Sequence, residues 1–333
     1  MTSLDHVLTT AAIEWGAELP DSVRLLDWSP QGRLVAIAAD GSALVEDAHR
    51  VTAPLTPDPR DAVWLGERSL AVVDPLAGLV MVGEVPTRAL PFRGAHRIGT
   101  HGGRTVVAGD GRVAVFGHPA SNAEPEVIWT GLGITHACEH VGGTIWAIGG
   151  TGGLALVDIG LGCVDQRVEL PAVVRIAAHG DAGRLAASDL AGVIHVFELS
   201  DLENGIELAG YYDPVRHLAL SPDAQTVVAA SDDEVTRWAI DEHGTVADSP
   251  TCAVAHDTAI TALESSDQGF LATGDADGVV QIWSPLLTDH PVATLQLGSE
   301  VTALAWDSAR SRLACGVLSG ALVIVDVVAG AVA

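Results

Sequence analysis

One phrase returns eight times along this chain: an apolar start, a short strand, a turn, an alternating strand, a glycine-centred turn and a third strand. The clearest copy opens at Ile260 and runs through Gly269-Phe-Leu-Ala-Thr-Gly-Asp-Ala-Asp-Gly-Val-Val-Gln-Ile-Trp283. Copies start near Val23, Val63, His96, Ile134, Val174, Val215, Ile260 and Val301, at successive spacings of 40, 33, 38, 40, 41, 45 and 41 residues. A period near forty made of short strands is the mark of a β-propeller or a related array, in which each unit packs on its neighbours. The expected fold is therefore all-β: one closed β-propeller of four-stranded blades over residues 1–333. Eight blades are predicted. Seven is the alternative if the weak stretch around residues 63–117 is misread.

Each copy supplies three strands, such as Val301-Thr-Ala-Leu-Ala-Trp306, Arg312-Leu-Ala-Cys-Gly316 and Ala321-Leu-Val-Ile-Val325. The turn between the second and third carries glycine, as in Asp110-Gly111, Asp277-Gly278 and Ser319-Gly320, because tight hairpins need positive φ. A looser stretch follows and holds a fourth strand, for example Glu126-Val-Ile-Trp129 or Gln166-Arg-Val-Glu-Leu170. The last copy stops after its third strand. Residues 1–21 offer the missing one in Val7-Leu-Thr-Thr-Ala-Ala-Ile-Glu-Trp15, so an N-terminal strand is expected to complete the last blade and remove an open edge.

Composition agrees with strands buried on both faces: 48% of residues are hydrophobic and only 18% are charged. The formal net charge is −26, and all 17 cationic residues are arginine. Total absence of lysine fits an arginine-biased, GC-rich, bacterial source. An acidic chain lacks the basic footprint that nucleic acid requires and is repelled by anionic membrane surfaces, so neither partner is expected. Cys138, Cys163, Cys252 and Cys315 make no CxxC pair and read as reduced thiols of a cytoplasmic protein. Met1-Thr-Ser-Leu-Asp-His carries no basic leader, which points the same way.

At these residues the chain resembles the WD-repeat propellers. In the copy from His256 to Trp283, His256 stands before the inner strand, Thr273 lies on the second strand, Asp277 in the turn and Trp283 on the third. The resemblance implies that these four form a hydrogen-bonded lock. The Trp-Asp ending is replaced by Trp283-Ser284. The copy from Val215 keeps Asp232 and Trp238 but has Tyr211 in place of histidine. The copy from Val174 has Ala187, Ala191 and Phe197 at the Thr, Asp and Trp positions. As architecture the resemblance covers residues 22–327. It implies a non-catalytic interaction platform.

Three groups of residues are candidates for function. The residue after each start reads Arg24, Trp64, Arg97, Thr135, Arg175, Arg216, Thr261 and Thr302, so four of 17 arginines share one repeat position. The resemblance places that position near the mouth of the central channel. There, guanidinium groups could converge on carboxylate or phosphate, with Trp64 as a stacking wall. The competing reading pairs these arginines with nearby acids such as Asp21, Asp213 and Glu300. Tyr211 and Tyr212, the only tyrosines, fall together before an inner strand and suit an interface, unless one simply replaces the lock histidine. His136-Ala-Cys138-Glu-His140 alternates on one strand, and His and Cys ligate zinc. Three ligands spread over about 13 Å of strand suit one tetrahedral ion poorly, and an interblade packing face explains them equally. No cofactor is expected. Gly149-Gly-Thr-Gly-Gly153 has no following helix and reads as a hairpin turn, not a phosphate cradle.

The leading function is a scaffold that binds a protein or acidic peptide on its upper face, as a monomeric propeller within a larger complex. A propeller hydrolase or lyase would need channel carboxylates and amides. Asp27, Glu67, Glu264 and Asp307 are available, but the chain has only two asparagines, Asn122 and Asn204, both off the inner strands. A His/Cys metal protein is the third class.

Overall fold

The computed structural model describes residues 10–46, 52, 54–83, 88–117, 124–179, 183–241, 244–246, 249–283, 290–307, 309 and 311–328. The chain begins with β1 (Thr10–Glu18). Blade 1 follows as β2 (Val23–Trp28), β3 (Leu34–Ala38) and β4 (Ala43–Val45), and blade 2 as β5 (Asp61–Trp64), β6 (Ser69–Asp74), β7 (Gly78–Gly83) and β8 (Arg88–Leu90). Blade 3 is β9 (Ala95–His101), β10 (Arg104–Gly109), β11 (Arg112–Phe116) and β12 (Glu126–Trp129). Blade 4 is β13 (Thr135–Gly142), β14 (Ile145–Gly150), β15 (Gly153–Asp158) and β16 (Cys163–Val168). Blade 5 is β17 (Val173–His179), β18 (Arg184–Asp189), β19 (Ile194–Glu198) and β20 (Asp201–Leu208). Blade 6 is β21 (His217–Leu220), β22 (Thr226–Ser231), β23 (Glu234–Ala239) and β24 (Thr251–Val254). Blade 7 is β25 (Ile260–Ser265), β26 (Leu271–Asp275), β27 (Val279–Trp283) and β28 (Ala293–Gln296), and blade 8 is β29 (Val301–Asp307), β30 (Arg312–Val317) and β31 (Ala321–Val328). Apart from blade 8, whose outer strand is β1, each sheet is an antiparallel meander, with no helix among the described residues. The fold is an eight-bladed β-propeller, so eight and not seven is the blade number.

Blade 8 is completed as expected. β1 pairs with β31, Thr10 opposite Val328 and Glu18 opposite Ala321, with a bulge between Ile13 and Trp15. The earlier part of the expected strand, Val7 to Thr9, lies outside the described residues. Blade 1 shows three strands among the described residues.

The described residues group into two compact units. The first is 1–51 with 232–234 and 253–333, and it holds blades 1, 7 and 8. The second is 52–231 with 235–252, and it holds blades 2 to 5 and most of blade 6. Sequence reasoning expected a single domain over 1–333.

Within each unit one packing device recurs. The first buried residue of an inner strand presses on a glycine of the preceding blade's second strand. A Cβ on Gly274 would lie 2.4 Å from Val301 Cγ1, one on Gly316 2.3 Å from Val23 Cγ1, and one on Gly149 2.5 Å from Val173 Cγ1. Those distances leave no room for any side chain, so glycine here serves close approach. Thus Gly149, read from sequence as part of a turn, lies within β14 and seats its neighbour. Hydroxyls also stitch seams between neighbouring blades. Thr261 Oγ1 donates to the Val301 carbonyl (2.6 Å), Thr302 Oγ1 to that of Val23 (2.5 Å) and Ser188 Oγ to that of Val215 (2.6 Å).

Candidate functional site

Inner strands carry the site, and their register decides which side chains meet. Most begin with a buried residue, then a bulged one, then regular pairing. The bulge falls between Val23 and Leu25, Thr135 and Ala137, Val173 and Arg175, Ile260 and Ala262, and Val301 and Ala303. On β9 it falls beside His96, where Ala95 pairs with Gly109 and Arg97 with Ala108. The true starts are therefore Ala95, Thr135 and Val173, one residue away from His96, Ile134 and Val174. This divides the expected arginine position in two. Arg24 stands at the bulge of β2, and Arg216 directly precedes β21. Arg97 and Arg175 stand one residue further on, in line with Asp61 (opposite Val73) and His217 (opposite Ala230). Thr135 is buried and donates to the Gly109 carbonyl (2.6 Å), a structural role shared with Thr261 and Thr302. Trp64 is buried at the far end of β5, in the place Trp28 and Trp306 take in their blades, so it is no wall of the arginine site.

What the second unit brings together is a charged cluster. Its inner strands β5, β9, β13, β17 and β21 lie side by side. The register row across them reads Asp61, Arg97, Ala137, Arg175 and His217. Asp61 accepts the Ile98 N–H through Oδ2 and that of Ala62 through Oδ1, both at 3.0 Å. Burial raises its pKa, opposed by Arg97 and, from three strands away, by Arg175. His217 is held down to about 4, first by burial and then by Arg175 and Arg216. His136 is lowered by burial, Arg97 and His96. Both imidazoles are therefore neutral near pH 7. Arg97 Nη1 donates to the His96 carbonyl (3.0 Å). Arg175 and Arg216 are exposed and, among the described residues, have no hydrogen bond or ion pair. Arg24 belongs to the first unit, where it is half-buried.

The histidine–cysteine strand does not gather around one point. His136 feels the charges of Arg97 and His96. Cys138 packs with Val106, Trp146 and Ile148, and burial raises its thiol well above the ordinary range. His140 stacks on His101, ring centroids 3.7 Å apart, and its Nε2 meets the Gly143 carbonyl at 3.2 Å. Among the described residues no group of three His, Cys, Asp or Glu side chains is placed to hold a metal ion.

The lock of blade 7 forms, with one correction. His256 Nε2 meets Thr273 Oγ1 at 2.8 Å, and Trp283 Nε1 donates to the same oxygen at 3.0 Å. The acid is Asp275, not Asp277: its Oδ2 lies 2.9 Å from His256 Nδ1, while Oδ1 accepts the N–H groups of Asp277 and Val279. Asp275 is the last residue of β26 and is 1% exposed, whereas Asp277 projects from the turn. Equivalent strand-end aspartates recur elsewhere. Asp189 pairs with His195 (2.9 Å) and caps the turn of blade 5, and Asp74 accepts from Thr56 and caps that of blade 2. Sequence reasoning missed both because it sought the acid beside the turn glycine and the histidine before the inner strand. In blade 6, Tyr211 does replace the histidine. Its hydroxyl meets Thr236 Oγ1 (2.5 Å) and accepts from Trp238 Nε1 (2.9 Å). Tyr212 is fully exposed.

The family model "WD domain, G-beta repeat" matches residues 249–284, the stretch from β24 through β27 that contains this lock. No curated protein matches the chain. Among solved structures, the crystal structure of the computationally designed protein Ika8 is similar, with a TM-score of 0.72 at 19% identity over 92% of this chain and 96% of that one. At that identity the likeness shows the fold alone. The chain is thus an eight-bladed β-propeller in which one repeat, with its lock intact, matches the WD-repeat family model.

Proposed function

We propose that the protein is a non-catalytic interaction scaffold that holds an acidic segment of a partner protein against the inner-strand cluster of its second unit. WD-repeat propellers are commonly protein-interaction scaffolds and typically non-enzymatic. One observation carries the finer reading: in a chain with 43 acidic residues, Arg175 and Arg216 stand exposed beside neutral His217 with no carboxylate bonded to them among the described residues. A planar guanidinium left open is suited to a bidentate carboxylate or phosphate from outside. The cluster holds no activated nucleophile and no acid–base pair arranged about an open position, so binding is the chemistry it supports. Four free thiols fit a cytoplasmic setting.

The test is titration with a glutamate-rich peptide followed by NMR of the histidine ring signals. Free protein should show His217 titrating near 4. Bound carboxylate opposes the two arginines, so the His217 pKa should rise on binding. Arg175→Glu with Arg216→Glu should cut affinity more than tenfold. Unchanged affinity in that double variant would sink the reading.

A further inference from the structure

Blades 2 to 4 carry a surface that the inner-strand cluster does not use. Eight large apolar side chains are exposed among the described residues, and five of them (Leu76, Trp129, Ile134, Leu190 and Tyr212) share one end of the second unit. In a four-stranded meander, the turn between the second and third strands, the end of the fourth strand and the start of the first all lie at one end. Leu76 sits in the β6–β7 turn, Trp129 ends β12, and Ile134 enters β13. These three are 83%, 69% and 48% exposed.

Backbone hydrogen bonds join them into one continuous surface. Gly94 N–H donates to the Pro75 carbonyl (2.9 Å), tying the Leu76 turn to the segment before β9. Gly111 N–H donates to the Gly133 carbonyl (2.5 Å) and Thr130 N–H to that of Gly111 (2.9 Å), tying the next turn to the residues around Trp129 and Ile134. Arginines stand between the apolar groups. The Arg112 guanidinium lies 4.5 Å from the Phe92 ring centroid and 5.8 Å from that of Trp129, and its Nη2 donates to the Arg93 carbonyl (3.0 Å). Arg167 reaches over Gly131, where a Cβ would stand 3.0 Å from its Nη1. Arg93 and Arg167 are exposed, and none of the three has an ion pair among the described residues.

We infer that this Trp129–Arg112 surface docks a segment of a partner protein in which carboxylates alternate with large apolar side chains. Exposed tryptophan and arginine are the side chains most often responsible for binding energy at interfaces. Three arginines on one stretch of a chain with net charge −26 are complementary to acid. Trp129, Leu76 and Ile134 supply apolar area that an all-acid segment would leave unused. The inference rests on the scaffold reading, and its failure can be told apart from failure of that reading.

Three fluorescent synthetic peptides test it by anisotropy. In the first, glutamate alternates with leucine and tryptophan; in the second serine replaces the apolar residues; in the third lysine replaces glutamate. The first should bind, and the second and third should bind at least tenfold more weakly. Trp129→Ala and Arg112→Ala should each weaken the first more than tenfold. Because Trp129 is exposed, its variant should melt at the wild-type temperature, which checks folding. Equal binding of the first two peptides, no binding of the first, or an unaffected Trp129→Ala variant overturns the inference. If binding responds to Arg175 and Arg216 but not to Trp129, the scaffold reading stands and this surface fails. Light scattering that shows a dimer abolished by Trp129→Ala makes a second copy the occupant, and overturns it too.

Discussion

Two aspartates two residues apart have opposite fates in blade 7. Asp275 closes β26 and is enclosed by His256, Thr273 and the turn amides, while Asp277 faces water. Its surroundings hold the His256 pKa down through burial, partly offset by hydrogen bonding to Asp275, so the imidazole is neutral and the network runs from Asp275 through His256 to Thr273 and Trp283. Replacing Asp275 by alanine leaves a buried ring nitrogen and two turn amides without their acceptor. A loss of about 2–3 kcal/mol is expected. Asp277→Ala should stay within about 0.5 kcal/mol, as surface changes do. Urea denaturation of the two variants decides which acid belongs to the lock: equal losses would return Asp277 to it.

At the scale of the strand, the seam between blades is set by glycine against valine. Gly274→Ala forces a methyl group to within 2.4 Å of Val301 Cγ1. Overpacking of this kind costs about 1–3 kcal/mol. The double variant Gly274→Ala with Val301→Ala should recover part of that loss, since the two sites share one contact. Thermal melts would show it, and additive losses would mean the strain lies elsewhere. Period, turn glycines and the closing strand were legible in the sequence because they rest on alternation and on positive φ at residues such as Gly278 and Gly320. The phase of the inner strands was not. The first buried position accepts valine, alanine or threonine, and neighbours such as Ile134 and Val174 are apolar without being buried. The bulge that follows adds a residue that periodicity cannot see. Hence Arg24 and Arg216 seemed to share a position with Arg97 and Arg175. Trp129, by contrast, could have been found: in Glu126-Val-Ile-Trp129 only Ile128 turns inward, so alternation alone sends the tryptophan out.

Charge across the whole molecule opposes the acidic ligand proposed for the local clusters. The proposed acidic segment would approach a body of net charge −26 before it could meet Arg175, Arg216 or Arg112 at hydrogen-bonding range. The two effects differ in reach. Repulsion from the dispersed acids acts over tens of ångströms at low salt and is cut to a screening length of about 8 Å at physiological ionic strength. Contacts between guanidinium and carboxylate at about 3 Å, partly desolvated, are screened much less. Raising salt from a very low level should therefore first tighten binding, chiefly by speeding association. Only at higher salt should the contacts themselves weaken and affinity fall. A plot of affinity against ionic strength should pass through a maximum, unlike the steady decline of a ligand drawn in by a basic surface. Anisotropy titrations across a salt series measure this directly. A monotonic fall from the lowest salt upward would show that the dispersed acids exert no force on the ligand, and that the arginine clusters dominate its approach from the start.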